Sequence, residues 1–311
     1  MRLIFMGTPA FAVPSLEGIV AAGHDVAAVF TQPDRPKGRG QRDAMSAVKE
    51  AALPLGLAVY QPERVRRPEV VEQIRRIEPE AMVVVGYGQI IPKTILEIPP
   101  MGIVNVHASL LPKYRGAAPI QWAIARGETR SGVTTMRINE GLDTGDMLLK
   151  WETKIGAEET AVELGERLAA AGADLLVRTL AELPSIKAEP QDDSQASYAP
   201  ILKKEDGKIE WTMPAREVLN RIRGFVPWPG AFGFLRGQRF HIWKATSVWK
   251  ESAGEVEVPP GALRVVNRKL YAGCGEGSSI ELREVQLEGK KRMQASAFLN
   301  GFPLTGDEVL R

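Results

Sequence analysis

The chain has 311 residues, of which 44% are apolar, 25% charged and 6% aromatic, a balance that excludes a disordered or fibrous protein and exceeds one domain of ordinary size. No stretch approaches the roughly 18 uninterrupted apolar residues of a membrane helix, and residues 1–9 are too short and too broken by Gly7 and Pro9 to act as a signal peptide. A single cysteine, Cys274, excludes an internal disulfide framework and a cysteine-cluster zinc site, and a net charge of +2 gives no global cationic excess, so a soluble, cytoplasmic protein is expected.

In chain order, residues 3–6 form a short apolar run stopped by Gly7-Thr8-Pro9, and residues 11–22 carry apolar side chains at helical spacing up to Gly23. A second strand is predicted at 26–31, a helix at 46–53, a third strand at 57–60 and a helix at 69–77 before Pro79. Residues 81–85 are continuously apolar, as a strand buried on both faces of a parallel sheet requires, and 102–106 are read as another strand. Residues 133–138 and 147–153 form a hairpin-like pair around the acidic, Gly-rich stretch 139–146, and 160–180 read as one long amphipathic helix. Residues 1–182 are therefore expected to form a Rossmann-like, doubly wound, mostly parallel α/β domain. Residues 183–206, rich in Pro, Ser, Asp, Glu and Lys, read as a linker. Residues 207–311 carry short Gly-punctuated strands at 233–235, 240–245, 263–266 and 279–287 and a helix at 215–223, which fits a small β-barrel. Trp211, Trp228 and Trp243 are expected to pack that barrel and the domain interface.

The small net charge conceals an asymmetry: residues 1–206 sum to −3 and residues 207–311 to +5. A local excess also lies in Arg35-Pro36-Lys37-Gly38-Arg39-Gly40-Gln41-Arg42, four cations without an acid, which is read as a mobile basic loop. Composition alone makes it a solvated excursion.

Gly7-Thr8-Pro9-Ala10-Phe11-Ala12 does not supply the three glycines of a dinucleotide fingerprint, and the basic loop lacks the Gly-Lys-Ser/Thr of a P-loop. The three histidines show no metal-ligand spacing, so no metal is expected. A serine nucleophile lacks its elbow motif. The denser constellation is Asn105-Val106-His107-Ala108-Ser109-Leu110-Leu111-Pro112. Strand alternation puts Asn105 and His107 on one face at the C-terminal edge of a parallel strand, where open α/β sheets bind ligands. Asn105 offers an amide donor to a developing oxyanion, His107 a proton relay, and Asp143 a carboxylate to orient the imidazole. A blander reading stays open here, in which His107 closes a strand and Asp143 shapes a turn.

Asn105-x-His107 with Ser109-Leu110-Leu111-Pro112, then Tyr114-Arg115-Gly116-Ala117-Ala118-Pro119-Ile120, then Gly141-Leu142-Asp143-Thr144-Gly145-Asp146, resembles the signature of the 10-formyltetrahydrofolate-dependent formyltransferases. Phe5-Met6-Gly7-Thr8-Pro9, residues 29–36, Ser197-Tyr198-Ala199-Pro200, Ile209-Glu210-Trp211 and Pro227-Trp228-Pro229-Gly230-Ala231 extend the resemblance over the whole chain, to the members that formylate initiator Met-tRNA. The resemblance implies that Asn105, His107 and Asp143 are catalytic, that Ser109, Leu110, Leu111 and Pro112 line the site for 10-formyltetrahydrofolate, and that the C-terminal module is an oligonucleotide-binding barrel. It further implies a tRNA contact by the loop bearing Arg35, Lys37, Arg39 and Arg42, with Arg39 at the position of the family's recognition arginine. Residues 43–49 lack prolines that relatives often carry. A monomer is expected, and a formyltransferase acting on another small amine, a binding protein without turnover and a hydrolase of the folate are the alternatives.

Overall fold

The computed structural model describes residues 1–37, 42–247 and 258–311, the side chains at 36, 37, 42 and 43 excepted. They form two compact units. The first comprises Met1–Pro119, Arg130–Lys154 and Gly165–Ala199, the second Ile120–Thr129, Ile155–Leu164 and Pro200–Arg311. Residues 183–199, read from the sequence as the greater part of a linker, thus pack with the first unit.

The first unit is built on strands β1 (Arg2–Gly7), β2 (Asp25–Phe30), β3 (Val59–Tyr60), β4 (Ala81–Val85), β5 (Ile103–His107), β6 (Arg130–Arg137) and β7 (Met147–Lys154). Their order across the sheet is β3-β2-β1-β4-β5-β6-β7. The first five run parallel and the last two antiparallel. Every residue of β4 and β5 is buried, which explains the unbroken apolar sequence of β4, a central strand with no solvent face, whereas β5 alternates its apolar residues with the buried polar Asn105 and His107. From β1 the chain winds outward through β2 and β3, then crosses back to place β4 on the other side of β1. That reversal opens a crevice beyond the carboxyl ends of β1 and β4, with β5 next to them.

Connecting helices are cut by recognisable signals. Helix α1 (Val13–Ala21) follows a 3-10 turn, and α2 (Ala47–Ala52) is capped by the Ser46 hydroxyl, which accepts from the Lys49 N–H at 3.1 Å. Helix α3 (Pro68–Ile77) has proline at its first position and buries Val70, Val71 and Ile74, the stripe a 3.6-residue period predicts. After α4 (Lys93–Leu96) and α5 (Pro119–Ala125), the 22-residue α6 (Ala161–Glu182) begins in a Thr160/Glu163 capping box, the Thr160 N–H donating to the Glu163 carboxylate at 2.8 Å and the Glu163 N–H to the Thr160 hydroxyl at 3.4 Å.

The second unit is an antiparallel sheet of β8 (Ala231–Leu235), β9 (Gln238–Ser247), β10 (Leu263–Val266), β11 (Lys269–Gly273), β12 (Ser279–Leu287) and β13 (Met293–Gln294), ordered β8-β9-β12-β11-β10 with β13 on β12. Helices α7 (Ala215–Gly224) and α8 (Ala295–Gly301) complete it. Along β9, buried Phe240 and Ile242 alternate with half-buried His241 and Trp243, the two-residue period of a sheet with one face in the core. Strands β11 and β13 and helices α4, α5 and α8 are absent from the sequence prediction, because each is too short to show a period. Trp211 is buried as expected, whereas Trp228, in the turn before β8, is 53% exposed.

Candidate active site

The loops that leave the carboxyl ends of β1, β2 and β4 meet beside the crevice. The Tyr87 carbonyl, just beyond β4, accepts from the Thr8 hydroxyl after β1 and from the Gln32 amide after β2, both at 3.0 Å. Gly86 and Gly88 flank Tyr87 with φ of +57° and +84°, the left-handed region that a side chain resists. A separate cavity of about 570 Å³, lined by Arg75, Glu78, Glu80 and Thr94 among others, adjoins the amino end of β4 and holds none of the groups described below.

Asn105 and His107 both lie on β5 and are buried, at 9% and 6% exposure. The Asn105 carboxamide carries two N–H donors. The His107 ring is held at Nε2 by the Tyr114 carbonyl at 2.9 Å. A carbonyl oxygen only accepts, so this contact puts the proton of the neutral ring on Nε2. Nδ1 then turns its lone pair toward Asp143 Oδ2, 3.7 Å away. Two acceptors face each other, and a proton arriving on Nδ1 would enter the field of the carboxylate.

Asp143 sits between β6 and β7 with φ +52°, a conformation unfavourable for a residue with a Cβ. Its Oδ2 accepts from the Gly116 N–H at 2.8 Å. Asn139 Oδ1 accepts from the Gly141 N–H at 3.0 Å and the Thr144 hydroxyl at 2.9 Å. Gln191 donates to the carbonyls of Asp143 and Gly145. The glycines of this loop are steric requirements: a Cβ on Gly145 would strike the Arg137 carbonyl, and one on Gly141 the Thr144 hydroxyl.

Ser109–Pro112 forms the wall next to His107, organised by one threonine on β6. The Thr134 hydroxyl donates to the Ser109 carbonyl at 2.7 Å and accepts from the Leu111 N–H at 3.1 Å. The Ser109 hydroxyl donates to the Lys113 carbonyl at 2.6 Å. Ser109 and Leu111 are buried, Leu110 and Pro112 half-buried. The next segment is clamped by residues 197–199: Tyr114 N–H donates to the Ser197 hydroxyl at 3.0 Å, Arg115 N–H to the Ser197 carbonyl at 2.9 Å, and Ala199 N–H to the Arg115 carbonyl at 2.7 Å.

The basic loop is described only at its root, where Arg35–Lys37 and Arg42–Ala44 pair as a short antiparallel ladder. Arg35 is exposed, 3.9 Å from Glu63. Asp34 accepts from Lys49 and from the Gln61 amide, and hydrogen bonding to Lys49 foremost lowers its carboxyl from the ordinary value. Arg39 lies outside the described residues, as do the side chains of Lys37 and Arg42. In the second unit, Lys244, Arg268, Lys290 and Lys291 are exposed. Arg236 pairs with Glu308, and Arg292 with Glu284. Among the described residues no group of three His, Cys, Asp or Glu side chains gathers as a metal site would, and no helix is long and apolar enough to cross a membrane.

Comparison with known proteins decides what family this site belongs to. The formyl transferase model matches residues 1–180, and the model of the formyl transferase C-terminal domain matches residues 201–303. The chain belongs to the formyl transferase family. It is 62% identical over 312 residues to the methionyl-tRNA formyltransferase of Solibacter usitatus (strain Ellin6076), covering 100% of this chain and 98% of the relative. The methionyl-tRNA formyltransferase of Koribacter versatilis (strain Ellin345) is 56% identical over 315 residues, covering 100% and 99%. Among solved structures, the sugar 3N-formyl transferase WlaRD, in the presence of dTDP and 5-N-formyl-THF, gives a TM-score of 0.68 at 20% identity over 94% of this chain and 99% of that one. The N-formyltransferase of Helicobacter canadensis, complexed with folinic acid and dTDP-3-aminofucose, gives 0.66 at 20% identity over 91% and 98%. Those two likenesses establish the fold.

The structure thus brings His107 and Asp143 together, with Asn105 on the same strand as His107 and Ser109–Pro112 immediately after it. Residues that the sequence reading did not single out are Thr134, Ser197 and Gln191, which hold the site by bonding to backbone. Ser197 was visible only as part of a resemblance, and Gln191 carried no signal within a polar, irregular stretch.

Proposed function

We propose that the chain transfers the formyl group of 10-formyltetrahydrofolate to the α-amino group of methionyl initiator tRNA, acting in the cytoplasm as a monomer, with Asn105, His107 and Asp143 as the catalytic residues. The observation that carries the chemistry is the His107 ring fixed at Nε2 by a carbonyl while Nδ1 faces a carboxylate at 3.7 Å. The choice of acceptor is supported by the full-length relatives named methionyl-tRNA formyltransferase.

In this reading the α-amine nitrogen attacks the formyl carbon and negative charge builds on the formyl oxygen. The Asn105 carboxamide donates to that oxygen. His107 Nδ1 takes the proton the amine gives up, directly or through water, and Asp143 stabilises the resulting imidazolium. The bond between the formyl carbon and N10 then breaks, and the proton is delivered to N10, so that tetrahydrofolate leaves neutral at that nitrogen. Ser109, Leu110, Leu111 and Pro112 hold the folate. Their main-chain groups are already ordered by Thr134, and the half-buried Leu110 and Pro112 offer apolar surface to a heterocycle.

The tRNA is gripped in two places. Arg35, Lys37, Arg39 and Arg42 contact the acceptor end, with Arg39 discriminating the initiator, and the exposed cations of the second unit track phosphates without reading sequence. The test is transfer of labelled formyl from 10-formyltetrahydrofolate to charged initiator Met-tRNA, charged elongator Met-tRNA and free methionine in parallel. Strong transfer to the initiator alone is expected, and Arg39→Ala is expected to narrow the preference between the two tRNAs. Equal transfer to all three acceptors, or none, would refute the acceptor assignment.

A further inference from the structure

Gln191 occupies the junction of three segments of the first unit. Its Oε1 accepts from the Arg115 Nε at 3.0 Å, while its Nε2 donates to the Asp143 carbonyl at 2.8 Å and to the Gly145 carbonyl at 2.7 Å. The orientation of the amide follows from its partners, since a guanidinium only donates and carbonyls only accept. Arg115 itself is 2% exposed and also donates to Asp193 at 2.8 Å. Just ahead of Gln191, Glu189 and Met147 exchange backbone hydrogen bonds at 2.8 Å in each direction, which fixes the stretch beside the start of β7. Just beyond it, Ser197 and Ala199 pair with Tyr114 and Arg115. Residues 189–199 therefore strap together the loop that carries Asp143 and the segment that supplies the Tyr114 carbonyl to His107 and the Gly116 N–H to Asp143.

We infer that Gln191 is a positioning residue for formyl transfer: by donating to the carbonyls on both sides of Thr144 it holds Asp143 in its left-handed conformation, with the carboxylate opposite His107 Nδ1. The inference rests on the proposed catalytic role of Asp143. A residue with φ +52° reverts to an ordinary conformation when its restraints are lifted, and that rotation swings the side chain away from the ring. Asn139 restrains the loop from its solvent side through Gly141 and Thr144. Gln191 restrains it from the protein side, and its two bonds to the loop go to backbone, so they persist whatever side chain stands at position 143. It touches no reacting atom and acts only through where it puts Asp143.

The test is a double-mutant cycle between Gln191→Glu and Asp143→Asn, read by single-turnover formyl transfer, by KM for donor and acceptor, and by thermal unfolding of the full chain. Gln191→Glu keeps the acceptor for Arg115 and replaces the two donated bonds by repulsion, and Gln191→Met, of similar shape, removes all three. Each is expected to lower kcat by about 10- to 100-fold with both KM values within about 2-fold, the range for a catalytic group displaced on the order of an ångström. Added to Asp143→Asn, each is expected to cost less than about 2-fold more, because its route of action is already gone. A loss that multiplies in the double variant overturns the inference and leaves the role of Asp143 standing. Parent-like transfer by Asp143→Asn alone overturns that role and the inference with it. Failure of both Gln191 variants to fold also overturns it, by making Gln191 a residue of stability.

Discussion

Replacing Asp143 by Asn removes a charge while leaving a side chain of the same shape. The Gly116 N–H and His107 Nδ1 both meet Oδ2, so an Asn oxygen in that position still accepts from the Gly116 N–H, 2.8 Å away in the parent, and remains opposite the ring. The loop is therefore expected to stay in place. What is lost at the ring is the charge. An imidazolium and a carboxylate 3.7 Å apart attract by about 4 kcal/mol at an effective dielectric constant of about 20, appropriate for side chains exposed by 7% and 19%. At about 1.4 kcal/mol per factor of ten, the charge alone corresponds to a loss of about 10²- to 10³-fold in the chemical step. The assay is single-turnover transfer under saturating donor and acceptor, with thermal unfolding alongside and an expected change in Tm of under about 3 °C. A rate within about 3-fold of the parent would refute the role given to the carboxylate.

Gly116→Ala places a Cβ 2.6 Å from the Ala199 carbonyl at a residue with φ +118°, so a loss of stability of about 2 kcal/mol or more is expected, with activity lost as well; an unchanged Tm would contradict the geometry. Thr134→Val leaves the Leu111 N–H and the Ser109 carbonyl without their partner in a fully buried position, and is expected to cost about 1–3 kcal/mol and to raise KM for the folate about 10-fold with kcat largely spared, measured by unfolding and steady-state kinetics. Glu308 has a further, pH-dependent signature. Burial pushes its carboxyl up, but the N–H groups of Thr305 and Gly306 together with Arg236 and the Thr305 hydroxyl outweigh this and hold it down at about 2. An unfolded glutamate takes up its proton near about 4.3, so the stability Glu308 provides is complete above roughly pH 5 and disappears as the pH falls toward about 2. Glu308→Gln should remove that part of the acid sensitivity in urea unfolding, and parallel parent and variant curves between about pH 5 and 3 would refute it.

The parallel sheet was legible because burial on both faces leaves an unmistakable record: residues 81–85 read as a strand, and β4 spans that same run with every residue buried. Part of the candidate site was legible as well, since strand alternation places Asn105 and His107 on one face of β5, but nothing in the spacing of residues 107 and 143 showed that His107 and Asp143 meet. What the sequence did not reveal is how these groups are held. His107 is oriented by the carbonyl of Tyr114, Asp143 by the N–H of Gly116, and the loop around Asp143 by donation to its own carbonyls. Main-chain groups are the same at every position, so a partner that bonds only to them leaves no residue-specific mark. That is why residues 183–199 read as a linker although their hydrogen bonds return to the site, and why β11 and α8, too short to show a period, went unseen.

The same dependence on main-chain partners sets which substitutions should matter. The Tyr114 side chain is irrelevant to the bond that fixes the proton on His107 Nε2, because that bond is made by the carbonyl. A change that keeps the backbone of residue 114 at φ +61° therefore leaves the tautomer intact, whereas one that lets it relax frees the ring to carry its proton on Nδ1 instead. With a proton on Nδ1 in the neutral ring, the atom facing Asp143 is already filled and, in the proposed mechanism, can accept nothing from the attacking amine. The left-handed conformations at Tyr114 and Asp143 and the open backbone of Gly116 are thus one device. They aim two main-chain groups at a histidine and an aspartate, so that the only vacant acceptor on the ring is the one opposite the carboxylate.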